Sequence, residues 1–156
     1  MSAEDPSVEG VQYRISSLTW VQNSVRSLGK KSKKKLRGTD GPDELIGTKK
    51  KNRIYGLDGD DLIRTREGKY KAWGGGGADT FETLRGGKGH ITIMDFEAVD
   101  TITFCGCGGT QKEQRGRNVW IVLGDDVKAV IKGVDAEDVD IDYSNAVITL
   151  TADPLA

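Results

Sequence analysis

One arithmetic feature constrains this chain more than any other: a glycine-rich pattern returns every nine residues between Gly38 and Glu82, and its best copies return every eighteen. The blocks Gly38-Thr39-Asp40-Gly41-Pro42-Asp43-Glu44-Leu45-Ile46, Gly56-Leu57-Asp58-Gly59-Asp60-Asp61-Leu62-Ile63-Arg64 and Gly74-Gly75-Gly76-Gly77-Ala78-Asp79-Thr80-Phe81-Glu82 all read G-x-x-G-x-D-x-U-x, with U apolar. The two blocks between them keep the frame but lose the acid. Residues 47–55 carry Lys49-Lys50-Lys51-Asn52 in place of the acidic turn, and residues 65–73 carry Lys69-Tyr70-Lys71. Position eight is apolar in all five, as Leu45, Ile54, Ile63, Ala72 and Phe81. Of the 21 glycines, 13 lie between Gly38 and Gly89. A flexible Gly/Ser linker has no reason to hold such a period, whereas structural units that stack on one another do.

The pattern resembles the RTX (hemolysin-type, glycine-rich nonapeptide) calcium-binding repeat of exported bacterial proteins, whose unit is G-G-x-G-x-D-x-U-x. The block 74–82 matches that unit in full, and the blocks at 38 and 56 lack only its second glycine. The resemblance implies an all-β fold: a parallel β-roll in which six residues turn, three form a short strand, and two blocks complete one coil. Glycine suits such turns because inward-facing carbonyls demand positive φ. Leu45, Ile63 and Phe81 then fill the roll from one wall, and Ile54 and Ala72 from the other.

Parallel coils stack about 4.8 Å apart, so an ion midway between two turns lies about 2.4 Å from each. That distance suits Ca²⁺, at about 2.3–2.6 Å from its oxygens, and is too long for Mg²⁺, at about 2.0–2.1 Å. Turns on one edge are 18 residues apart, the spacing of Asp43, Asp61 and Asp79. Two Ca²⁺ are expected, one between the turns of Asp43 and Asp61 and one between those of Asp61 and Asp79. By resemblance, each turn adds backbone carbonyls from its first four residues, from Gly38, Asp40 and Gly41, from Gly56, Asp58 and Gly59, and from Gly74, Gly76 and Gly77. Asp95, in Ile93-Met94-Asp95-Phe96, is similar to the D-F pair that closes such rolls and would complete a half-site above Asp79. The opposite edge offers Asn52 and Tyr70 among Lys49, Lys50, Lys51, Lys69 and Lys71, whose ammoniums repel a cation.

The flanks divide the chain into three expected segments: 1–37, 38–104 and 105–156. In the first, Val11, Ile15, Leu18, Val21, Val25 and Leu28 fall at steps of three and four, which predicts an N-terminal capping helix ending at Gly29, followed by a basic linker. In the last, Asn118–Leu123 and Lys128–Ile131 alternate about Gly124-Asp125-Asp126 and predict a hairpin within a C-terminal β-rich cap. By resemblance, the final residues are a candidate export signal.

No run of about 18 apolar residues is present, and the acidic start Met1-Ser2-Ala3-Glu4-Asp5 differs from a cleaved secretory signal. Net charge is -1, yet residues 29–54 hold ten bases and three acids while residues 55–156 hold eleven and eighteen. Cys105 and Cys107 are too few for a zinc site and read as free thiols, and His90, among glycines, reads as exposed. No nucleophile, base and orienting group stand out, so catalytic residues are expected to be none. The reading is a non-enzymatic Ca²⁺-stabilised module, extracellular or on the cell surface through type I-like export without a cleaved signal peptide, with a cytoplasmic location as the alternative. The alternative function is an accessory module, similar to those of mannuronan epimerases, that holds acidic polysaccharide or an anionic surface on the basic edge. Tyr13 and Trp20 are too few aromatics to favour nucleic acid.

Overall fold

A computed structural model describes residues 11–15, 19–27, 35–49, 52–83 and 88–151. Strands β1 (Val11–Ile15), β2 (Thr19–Ser27), β3 (Lys35–Arg37), β4 (Asp43–Ile46), β5 (Asn52–Asp58), β6 (Leu62–Arg64), β7 (Lys69–Gly76), β8 (Thr80–Glu82), β9 (His90–Ile93) and β10 (Thr101–Thr103) precede the C-terminal strands. These are β11 (Thr110–Arg115), β12 (Asn118–Leu123), β13 (Asp126–Lys132), β14 (Val139–Asp142) and β15 (Val147–Leu150). They form two sheets, of order β1-β2-β4-β6-β8-β10-β15-β14 and β11-β12-β13-β9-β7-β5-β3. The chain alternates between the sheets, and successive rungs of each wall pair in parallel, as a solenoid requires.

Register follows the nine-residue arithmetic. Leu45 lies against Ile63, and Ile63 against Phe81, each 18 residues on, while Ile54 lies against Ala72 on the other wall. All five are fully buried. Each aliphatic or aromatic side chain so enclosed contributes about 1.5–3 kcal/mol, and an adjacent pleat residue faces outward. The fourth coil is longer by three residues: Phe81 pairs with Ile102, and Ala72 with Ile93. The roll then widens into the C-terminal strands, where Ile131, Val139 and Ile148 extend the same core. The expected hairpin is β12–β13, closed by Gly124 at φ +60 and Asp125 between the paired Leu123 and Asp126. Strand β11, Thr-Gln-Lys-Glu-Gln-Arg, has no apolar alternation and was not expected; as an edge strand it needs little.

The N-terminal helix is a misreading. Val11–Ile15 and Thr19–Ser27 are antiparallel strands, and Leu18 and Leu28 lie outside the described residues. Steps of three and four fit a helix, but Val, Ile and Thr are stiff at χ1 and favour strands. A strand here also gains pairing that a helix cannot. Strand β2 runs parallel to β4, from Ser24 opposite Asp43 to Ser27 opposite Ile46, and so covers the open edge of the roll. Among the described residues there is no α-helix, only a single 3₁₀ turn at Ala136–Asp138.

At position two of the turns, Gly75 has φ +97, and a Cβ there would meet the Leu57 carbonyl oxygen at 1.8 Å. Leu57, at the same position one coil below, holds φ +93 with a side chain in place. Such a conformation costs a non-glycine residue about 1–3 kcal/mol, whereas glycine loses about 0.5–1 kcal/mol more chain entropy on folding. Leu57→Gly is therefore expected to raise stability by about 1 kcal/mol, seen as a higher urea midpoint at unchanged slope. A lower midpoint would refute the strain.

Candidate metal centre

The position-six aspartates form a ladder up one edge. Asp61 Oδ1 accepts the Asp43 N–H at 2.8 Å, Asp79 Oδ1 accepts the Asp61 N–H at 2.9 Å, and Asp100 Oδ1 accepts the Asp79 N–H at 3.0 Å. Each carboxylate thus satisfies the coil beneath it with one oxygen and leaves the other to be accounted for. At the two ends the second oxygen is used. Asp43 Oδ2 accepts the Thr39 N–H and, at 3.0 Å, its hydroxyl, while Asp100 Oδ2 accepts the Glu97 N–H at 2.8 Å. In the middle it is not. Asp61 Oδ2 and Asp79 Oδ2 are buried and have no hydrogen-bond donor. A buried, unpartnered carboxylate oxygen is costly, and a cation is a partner that would satisfy two of them one coil apart.

The surroundings of those oxygens fit one. A Cβ on Gly56 would lie 2.1 Å from Asp61 Oδ2 and 2.3 Å from the Gly74 carbonyl oxygen. On Gly74 it would lie 2.0 Å from Asp79 Oδ2, and on Gly38, 2.4 Å from the Gly56 carbonyl oxygen and 2.5 Å from Asp43 Oδ2. Position one of each good block must therefore be glycine, because carboxylate or carbonyl oxygens crowd it. Among the described residues no three His, Cys, Asp or Glu side chains gather as a metal cage, so backbone carbonyls must supply most of a cation's ligands. That donor set, hard and all oxygen, is one calcium accepts.

Electrostatics agree. Burial pushes both Asp61 and Asp79 up to about 7, the neighbouring carboxylates adding to it and one accepted N–H opposing. Burial likewise raises Asp100. The ladder holds more negative charge than the fold compensates.

The other expected ligands are placed less uniformly. Gly38, Gly56 and Gly74 are buried against those oxygens; Asp40, Asp58, Gly76 and Gly77 are exposed, with Gly41 and Gly59 between. Asp60, not expected to matter, accepts the Ala78 N–H at 2.8 Å and so ties two turns together. Asp95 accepts the Gly74 N–H at 2.9 Å on one oxygen and the Gly75 N–H at 3.0 Å on the other, so both its oxygens are occupied. Asp100 is the ladder member that sequence reading missed. The three-residue insertion moved it out of the nine-residue frame, although Asp100-Thr101-Ile102 repeats Asp79-Thr80-Phe81.

The opposite edge is neutral inside. Asn52 Oδ1 accepts the Thr48 N–H at 2.9 Å and its hydroxyl at 3.0 Å, and Tyr70 Oη accepts the Arg66 N–H at 3.1 Å while donating to the Thr48 carbonyl. Both side chains are buried, Tyr70 filling the turn against Gly47. The lysines around them divide. Lys49 pairs with Glu67 at 3.4 Å, Lys50 and Lys51 lie outside the described residues, and Lys69 and Lys71 belong to strand β7 with exposed side chains, on the sheet face and not in the turn. Cys105 and Cys107, expected as free thiols, are joined Sγ to Sγ across Gly106, whose φ of +66 folds the chain back. His90 is half-buried, and burial with the nearby Lys69 charge lowers its pKa.

Residues 37–69 match the family model of the RTX calcium-binding nonapeptide repeat. The match takes in the turns of Asp43 and Asp61, and the third good block follows directly in the same frame. No curated protein matches the chain.

Proposed function

Since residues 37–69 are RTX calcium-binding nonapeptide repeats, we propose that this β-roll, residues 38–104, folds around two Ca²⁺ ions on its acidic edge. The observation that carries the reading is the pair of buried, donorless oxygens, Asp61 Oδ2 and Asp79 Oδ2. One ion is assigned between the Asp61 turn and the Gly74 carbonyl, and the other at Asp79, towards the coil of Asp95 and Asp100. This arrangement keeps the expected number and the ladder, but Asp43, already satisfied by Thr39, contributes least. The module is structural: calcium replaces charge repulsion with ligation, and the roll orders where calcium is abundant. Such a chain stays loosely folded inside a calcium-poor cell and orders outside, which supports export through a type I-like route. No helix among the described residues is long and apolar enough to cross a membrane.

Isothermal titration of the calcium-stripped protein at pH 8 is expected to give a stoichiometry near two, with dissociation constants of about 10⁻⁴–10⁻³ M, the range of extracellular modules. Magnesium should give no comparable heat. A stoichiometry near zero, or equal heats for the two cations, would defeat the assignment.

A further inference from the structure

The outer surfaces of the two walls differ in a way the calcium edge does not explain. On the wall built from β4, β6 and β8, opposite charges pair across the strands: Arg64 bridges Glu44 at 2.6 Å and Glu82 at 3.0 Å. On the wall built from β3, β5 and β7, Lys35 stands in direct register with Arg53, and Arg53 with Lys71. Lys69 begins β7 one pleat away. All four side chains are exposed, and none meets a carboxylate among the described residues. Like charges placed opposite each other on neighbouring strands repel. With no ion pair to these four among the described residues, the row is open to compensating charge from outside.

The adjoining row on the same face narrows what brings it. Two residues along each strand, Tyr55 lies beside Trp73 with ring centroids 4.6 Å apart and planes within 12°. Each ring covers the other's facing side, and both are half-buried. A nucleobase or sugar that must lie on an open aromatic face gains little here. What the pair presents is amphipathic ring edge, beside a row of long cationic side chains on the same sheet face. Positive charge and Trp/Tyr edges side by side suit the headgroup zone of an anionic bilayer, where aromatic rings settle at the interface and lysine and arginine meet phosphate.

We propose that the outer face of the β3-β5-β7 wall, with Lys35, Arg53, Lys69 and Lys71 as contacts and Tyr55 and Trp73 in the adjoining row beside them, docks on anionic phospholipid headgroups. The site is separate from the calcium edge and does not require the ion assignments above to be right.

The test is sedimentation of the full-length, calcium-loaded protein with vesicles of phosphatidylcholine mixed with phosphatidylglycerol, against vesicles of phosphatidylcholine alone. Binding is expected only to the mixed vesicles and should fall as salt rises. Each cation near an anionic surface is worth roughly fivefold in affinity, so Arg53→Gln with Lys71→Gln should weaken binding about thirtyfold. Arg53→Lys with Lys71→Arg, which keeps both charges, should bind like the parent. Far-ultraviolet dichroism and calcium stoichiometry measured on the same samples separate loss of this face from loss of the fold. Unchanged vesicle binding by the Gln pair would overturn the proposal, since calcium bridging or another face would then be responsible. Equal binding to phosphatidylcholine alone, or tighter binding to alginate or to an oligonucleotide than to the mixed vesicles, would overturn it as well.

Discussion

Stripping calcium at pH 8 is expected to cost the protein most of its ordered β structure, recovered when calcium is returned. The turns between Gly38 and Gly77 are rich in glycine, whose ordering loses more backbone freedom than that of any other residue. Asp61 and Asp79 are buried with one oxygen each unsatisfied, and at pH 8 both are ionised, being pushed up only to about 7. At a calcium concentration of about a hundred times Kd, each ion adds roughly 2.7 kcal/mol, and two add about 5 kcal/mol. That is comparable to the entire stability of a small domain, about 5–15 kcal/mol. Far-ultraviolet dichroism and a thermal melt, with chelator and with calcium, decide the matter. A chelated sample with the same spectrum and midpoint would show that the roll stands without its ions.

Asp61→Asn should then act with opposite signs in the two states. Without calcium, the folded carboxyls of Asp61 and Asp79 hold protons more tightly than the unfolded ones, about 7 against 3.8. The stability this contributes is complete below about 3.8 and disappears as pH rises through about 7. The calcium-free protein is thus expected to melt higher at pH 5 than at pH 8. With calcium the order reverses, because the ion binds the deprotonated pair and releases protons. An asparagine at 61 is neutral, can still accept the Asp43 N–H, and turns an NH₂ donor towards the Gly74 carbonyl oxygen. It should therefore raise the calcium-free midpoint at pH 8 and flatten its pH dependence, while calcium stoichiometry drops from two to about one. Asp79→Asn should behave alike. Asp43→Asn should do less, since Thr39 already satisfies the oxygen concerned. If all three variants lost calcium equally, the assignment of the ions to the two unpartnered oxygens would be wrong.

Much of this arrangement was legible before any coordinates. The 18-residue recurrence of Asp43, Asp61 and Asp79 set them on one edge, and the apolar eighth positions set Leu45, Ile63 and Phe81 against Ile54 and Ala72, because a coil of fixed length leaves the chain no other register. Asp100 escaped for the converse reason. One coil of 21 residues shifts the frame, and only pairing of Phe81 with Ile102 shows where the ladder resumes. The N-terminal segment misled because apolar steps of three and four are compatible with a helix, while the decisive fact, an unpaired edge of β4 awaiting a parallel partner, belongs to the assembled sheet.

The repeat, the roll and the alignment of Asp43, Asp61 and Asp79 along one edge were readable from the chain alone, since these depend on local period and on residue types that only one backbone path satisfies. Only the folded chain shows which carboxylate oxygens are left without donors, that Tyr70 turns inward to satisfy a lysine-rich turn, that Cys105 and Cys107 join, and that Lys71 stands in register with Arg53 on one face. Each of these depends on which coil lies above which, a relation between residues 18 or more apart, or on how a bend closes. Composition and motif record what a turn contains; the neighbouring coil determines which of its atoms remain to be satisfied.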